Sequence, residues 1–301
     1  MKKNVKKLVI VSPEIMNLVY GLLINVPIIL SYMINVGKRN DKIIRLTCNK
    51  LNIIINIMSN TTTKNGRLGN QIIRNIAVSF ISKKHNLFVE YANYELIQKI
   101  GIPLFVGENK YNNTIKLTDD NYFDILNKIQ LKSNVDPNKN YFQTKEITDI
   151  IHNYLNQEEV ENKITNNNPY KSRYGNNNDC FIHIRLSGVE KWNLGFEYYD
   201  SILSKLVIDI IYIATDSNNH EIIKQLRQKY KNIKLIGNDL VDIIQFGTTT
   251  KHVILSYGTF SALIGYMAYY SNVYYKKPQE KYAWDWNSIN ECNIFLDHST
   301  K

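Results

Sequence analysis

The sequence predicts an α/β protein: parallel, doubly wound sheets in two Rossmann-like halves that face a central cleft. Three observations carry that prediction. From residue 180 onward, short apolar runs alternate with amphipathic stretches at the spacing of βαβ units. Between residues 51 and 91 a strand, a glycine-bearing loop, a helix and a second strand follow one another. Polar, glycine- or hydroxyl-bearing loops follow the apolar runs, at the edge where open α/β sheets bind ligands.

Taken in order, residues 1–57 stand apart. Ile15–Val36 carries no charge and is long enough to span a bilayer, with Lys2, Lys3, Lys6 and Lys7 before it and Lys38, Arg39, Lys42 and Arg45 after it. Asn17, Asn25, Pro27, Ser31 and Asn35 interrupt it, so a buried segment is the competing reading of 15–36. The flanking charges balance and assign no orientation. Residues 51–57, LNIIINI, read as a buried strand. The loop Lys64-Asn65-Gly66-Arg67-Leu68-Gly69-Asn70-Gln71 opens a helix with apolar positions at Leu68, Ile72, Ile76 and Phe80, ending near Lys83-Lys84-His85. Leu87–Tyr91 is the next strand. Helices are expected near 93–100, after Asp120 and over 145–158, and the Asn-rich stretch 162–178 reads as a linker. The division is therefore 1–57, 58–170 and 171–301.

The second half is more regular. Strands are predicted at 180–185, 208–214, 233–236, 252–256 and 273–275, with helices at 196–206, 219–231, 239–246 and 260–270 between them. The first of these strands ends in His183-Ile184-Arg185, and the turn-prone Ser187-Gly188 follows. Arginine offers a planar fork of donors that matches phosphate. The last helix begins at Gly258-Thr259-Phe260-Ser261, where hydroxyls and the positive helix end suit an anion. Gly66 and Gly69 let backbone approach a ligand closely. Two halves carrying these loops toward one cleft would hold a nucleotide diphosphate between them.

Composition sets limits. A formal charge of +10 suits a phosphate-bearing ligand, but the lysines are spread along the chain and no nucleic-acid motif accompanies them, so nucleic acid is not an expected partner. The 40 asparagines weaken arguments from polar runs. Cys48, Cys180 and Cys292 have neither disulfide nor zinc spacing, and Cys180 reads as a small core residue. A Walker loop and the three-glycine dinucleotide fingerprint are both missing.

Gly66-Arg67-Leu68-Gly69-Asn70-Gln71 resembles the Gly-x-Leu-Gly-Asn-Gln loop of the α-1,2-fucosyltransferases, glycosyltransferase family 11. His183-Ile184-Arg185 resembles the start of that family's His-x-Arg-Arg-Gly-Asp motif, and Phe196-Glu197-Tyr198-Tyr199 the aromatic opening of its next helix. Ala214-Thr215-Asp216-Ser217 is similar to its Ser-Asp-Asp strand end. Lys251-His252-Val253-Ile254 and Gly258-Thr259-Phe260-Ser261 are similar to its Lys-His strand and Thr-Phe helix start. The motifs stand in the family's order and cover roughly residues 64–275.

The resemblance implies a GT-B-like fold, with an acceptor side over 58–170 and a GDP-sugar-binding side over 171–301. It implies transfer of fucose from GDP-fucose to a glycan hydroxyl, galactose in α-1,2 linkage being the expectation, with inversion and without a metal or other cofactor. The absence of any Asp-x-Asp pair agrees with that. Arg185 would stabilise the departing GDP, and His183 or, as a second choice, Glu190 would serve as base. Gly66, Gly69, Asn70, Gln71, Asp216, Gly258, Thr259, Phe260 and Ser261 would form the substrate-binding set, Asp216 by orienting its loop or capping the next helix. The family's second Arg, its Gly and its Asp are replaced here by Leu186-Ser187-Gly188. A different GDP-sugar, a protein acceptor, or a non-catalytic nucleotide or glycan binder therefore stay open as alternatives.

Overall fold

The computed structural model describes residues 58–61, 66–187 and 193–276. The segment 15–36, the strand at 51–57, Gly188 and Glu190 lie outside the described residues. All described residues belong to one compact unit that begins at Asn56. Among them, no helix is long and apolar enough to cross a membrane.

The fold is α/β with parallel pairing throughout the described strands. In the second half, β5 (Cys180–Ile184), β6 (Ile211–Thr215), β7 (Ile233–Leu235), β8 (His252–Leu255) and β9 (Asn272–Tyr274) form one sheet in the order β7-β6-β5-β8-β9. The register sets His183 beside Ala214 on β6 and Leu255 on β8. Strand period two then sorts the side chains. Cys180, Ile182 and Ile184 pack with Tyr199 and Ile202 of α6 (Gly195–Leu203) and with Ile223 and Leu226 of α7 (Glu221–Lys229). Phe181, Ala214, Val253 and Leu255 point the other way, into a core shared with the first half. Cys180 is fully buried, as its apolar setting predicts. On that shared side lie α8 (Leu240–Gly247) and α9 (Thr259–Met267).

In the first half, β1 (Ser59–Asn60) pairs with β2 (Val89–Glu90), and β3 (Thr114–Lys116) with β4 (Asn134–Asp136). Ser59 Oγ accepts the Val135 N–H at 2.9 Å, which sets β1 beside β4. The long helix α1 (Leu68–His85) packs on α9 and puts Leu68, Ile72, Ile73 and Ile76 into the shared core. It also carries Arg74, which is fully buried. Its guanidinium donates to the Thr61 carbonyl at 3.0 Å and the Asn138 carbonyl at 3.3 Å, tying the ends of β1 and β4 together. Burial outweighs the nearby Tyr141 and Asp136 and lowers its pKa.

The short helices α2 (Tyr94–Ile100) and α3 (Tyr122–Leu126) fall where the sequence expects them. The single helix expected over 145–158 is instead two, α4 (Lys145–Leu155) and α5 (Glu158–Asn167), broken at Asn156–Gln157. The second covers the first part of the stretch that reads as a linker. Its first turn carries Glu158, Glu159 and Glu161 at the positive end of the helix, and Val160 and Ile164 face the core. Strands β3 and β4 have no counterpart among the expected elements.

Candidate functional site

The sheet order is that of a Rossmann domain, with β5 first and its successors leaving to opposite sides: β6 and β7 to one, β8 and β9 to the other. The helices that follow β5 and β8, α6 and α9, lie on opposite faces of the sheet and leave a crevice over the strand ends. A cavity of about 430 Å³ occupies it, within the range of small-ligand sites.

Arg185 is the first residue past β5. Its backbone N–H donates to Ser256 Oγ at 3.3 Å, fastening the two loops together. Its guanidinium lies on Gly258, where an added Cβ would come within 3.3 Å of Nη1. Gly258 has φ +119°, a conformation open to glycine but strained for other residues. The Arg185 Nε is buried without a hydrogen-bond partner among the described residues. Burial and the neighbouring Arg67 cation lower the Arg185 pKa against the pull of Asp216.

Asp216, at the end of β6, does not cap the next helix, whose N-cap is His220. It holds the loop after β5: Oδ1 accepts the N–H groups of Leu186 at 2.8 Å and Ser187 at 3.1 Å. Its Oδ2 accepts from Arg67 Nη1 at 3.4 Å, across the cavity mouth. Burial alone would raise its pKa, but the donors from Leu186, Ser187 and Arg67 outweigh it and hold the carboxyl below the usual range. Asp216→Ala is expected to free that loop. Hydrogen exchange should show the Leu186 and Ser187 amides losing protection, with global stability falling by about 1 kcal/mol, since only Leu186 is buried and the exposed Ser187 N–H can turn to water; unchanged protection would mean that other groups hold the loop.

His183 lies on the face of β5 that looks toward the first half. Its ring packs against Phe260, with centroids 5.2 Å apart. Its Nδ1 is 2.5 Å from Ser261 Oγ and 3.4 Å from Ser256 Oγ. Burial, and secondarily the Arg185 charge, push its pKa down to about 4 despite Asp216. The neutral ring is favoured in the fold, so this contribution to stability is fully present above the ordinary value of 6.5 and is lost as pH falls toward about 4. Between pH 7 and pH 4 the wild-type protein should lose about 3 kcal/mol more than His183→Gln, followed by denaturant unfolding. Parallel pH profiles for the two proteins would show that His183 is protonated as easily folded as unfolded.

The first half closes the cavity. Gly69 sits so close to α9 that an added Cβ would lie 2.8 Å from the Phe260 nitrogen. Asn70 lines the cavity, and its Oδ1 accepts from Gln143 at 3.1 Å. Seven of the predicted residues thus line the cavity: Gly69, Asn70, His183, Arg185, Asp216, Thr259 and Phe260. The other four support it. Gln71 donates to the Gly66 carbonyl at 2.9 Å and accepts from Asn93, so it braces the loop. Gly66 makes the turn at φ +79°, Gly258 makes room for Arg185, and Ser261 turns inward to His183.

Sequence reasoning missed Arg67 as a charged wall, and Asn218, Asn238, Leu240 and Ile243 at the β6–α8 side. The loop containing Arg67 was recognisable; the two asparagines were hidden among the chain's 40. Leu240 is 44% exposed, an apolar surface at the rim against which a flat ring could rest. Compared with known proteins, the chain matches no family model and no curated protein sequence.

Proposed function

We propose that the cavity binds a nucleoside diphosphate sugar, GDP-fucose first among them, and that the protein transfers fucose with inversion to a glycan hydroxyl, working as a two-sided GT-B-type enzyme. The observation that carries this reading is the Arg185 guanidinium, whose buried Nε has no partner among the described residues, at the switch point of the β5 sheet and facing the Gly66–Gln71 loop across one cavity. Diphosphate charge needs a cationic partner. Leu186 is buried in the core, so β5 ends in one arginine, and Arg67 contributes the second guanidinium from the other side.

In the reaction, an acceptor oxygen attacks C1 of the sugar from the face opposite the diphosphate. The C1–O bond to phosphate breaks, GDP leaves with the bonding electrons, and the acceptor's proton passes to a base or to water. Arg185, with the start of α9 at Thr259, stabilises the charge that builds on the leaving GDP. A ring that stays neutral to about pH 4 is a weak proton acceptor, so assistance to the leaving group carries the larger share.

The test is to incubate the full-length protein with GDP-fucose and a panel of galactosides, following GDP release and product mass. Absence of GDP binding, GDP release and transfer together would end this reading. Tight GDP binding without turnover would make the protein a nucleotide binder, and stronger stabilisation by GDP-mannose or a UDP-sugar would reassign the donor.

A further inference from the structure

Three polar groups deep in the cavity wall are more constrained than their identities suggest. Ser261 is fully buried and Ser256 nearly so. Their hydroxyl oxygens are 3.1 Å apart, and both reach His183 Nδ1, Ser261 at 2.5 Å and Ser256 at 3.4 Å. Ser256 Oγ already accepts the Arg185 N–H. Two hydroxyl protons must therefore be placed among three atoms. If Nδ1 accepts, Ser256 donates to Ser261 and Ser261 donates to Nδ1, so every proton has an acceptor. If Nδ1 carries the proton and donates to Ser261, Ser261 must donate to Ser256. The Ser256 hydroxyl proton is then left buried with no acceptor among the described residues, an arrangement that folded proteins avoid.

We propose that the Ser256–Ser261 pair is a positioning relay that locks His183 in its neutral Nε2–H tautomer, so that the ring edge turned to the cavity donates a hydrogen bond to an anionic ligand oxygen and does not act as a base. The two serines close the Nδ1 edge, and His183 lines the cavity with what remains open. The charged groups around the ring are Arg185 on its own strand's end and Asp216 at the end of β6. Asp216 is committed to Leu186, Ser187 and Arg67, so it is not available to pull a proton onto the ring. That the accepting oxygen belongs to a diphosphate rests on the function proposed above; the tautomer does not.

Long-range proton–nitrogen NMR on histidine-labelled full-length protein, free of ligand at pH 7, reads the tautomer directly. The protein has six histidines, and His183→Gln identifies the resonance. A pyridine-type Nδ1 with a pyrrole-type Nε2 is the expected pattern. Ser256→Ala should keep it, because Ser261 can still donate to Nδ1. Ser261→Ala leaves only the Ser256 hydroxyl, at 3.4 Å, to hold Nδ1, so it should loosen the preference to a detectable mixture, which Ser256→Ala should not, and weaken GDP binding about tenfold, one hydrogen bond to a charged group. A protonated Nδ1, an imidazolium, or equal behaviour of the two serine variants would overturn the relay. If the tautomer behaves as expected while GDP fails to bind even the wild type, the relay stands and the sugar-nucleotide reading falls.

Discussion

Arg185→Ala is expected to lower the rate of sugar transfer several hundred-fold, the loss typical of removing one preorganised charge-stabilising group. That loss follows from the transfer activity proposed above. The same variant should unfold at the same temperature as the wild type or slightly higher. The two halves of this expectation have one cause. None of the described residues accepts a hydrogen bond from the guanidinium, and its Nε is buried. A cation held in that state costs stability in the empty protein, since burial and Arg67 both oppose its charge. Removing it relieves that cost and would remove the partner proposed for the departing diphosphate. Arg185→Lys should recover part of the rate, because a point charge remains while the two-pronged donor geometry is lost. Unchanged turnover, or a fall in stability that accounts for the lost rate, would take Arg185 out of this role.

The sheet in the second half was legible because its strands are apolar runs bounded by turn residues. Ile182, Ile213 and Ile254 are buried on one face of the sheet and Phe181, Ala214 and Val253 on the other, and strands covered on both faces need no alternating pattern to be seen. Strands β3 and β4 were not legible. Thr114-Ile115-Lys116 and Asn134-Val135-Asp136 are three residues each, and Asn134 is buried by bonding to Tyr111, a contact that no local pattern announces. Helix α5 was masked by its asparagines, although Val160 and Ile164 have helical spacing. At the site, residue identity was readable but direction was not. Successive residues of a helix turn by about 100°. Thr259 and Phe260 therefore reach the cavity while Ser261 rotates inward to His183. Gln71 is likewise turned onto Gly66 and Asn93. Arg67 and Leu240 come to one cavity only through tertiary packing, and no spacing in the sequence encodes that.

Gly69→Ala is expected to destabilise the protein by about 2 kcal/mol and to weaken GDP binding as well. Alanine at an ordinary helical position would be favoured over glycine by up to about 1 kcal/mol. Here that gain is outweighed, because the new Cβ would lie 2.8 Å from the Phe260 nitrogen and 2.9 Å from its Cα. These are backbone atoms, and no rotamer change removes them. Overpacking of this kind costs about 1–3 kcal/mol, and relief requires α1 to move away from α9. That movement is what couples stability to the site. Arg67, Leu68 and Asn70 are carried by the start of α1, and Thr259 and Phe260 by the start of α9, so separating the helices widens the cavity between them. Gly237→Ala is the comparison: nothing lies within 4 Å of its added Cβ, and its stability should change by no more than about 0.5 kcal/mol. Denaturant unfolding and GDP titration of both variants would separate the two cases. Equal stability in the pair would mean that α1 and α9 are not in tight contact at Gly69, and the second glycine of the Gly66–Gln71 loop would then have to be explained by the ligand and not by helix packing.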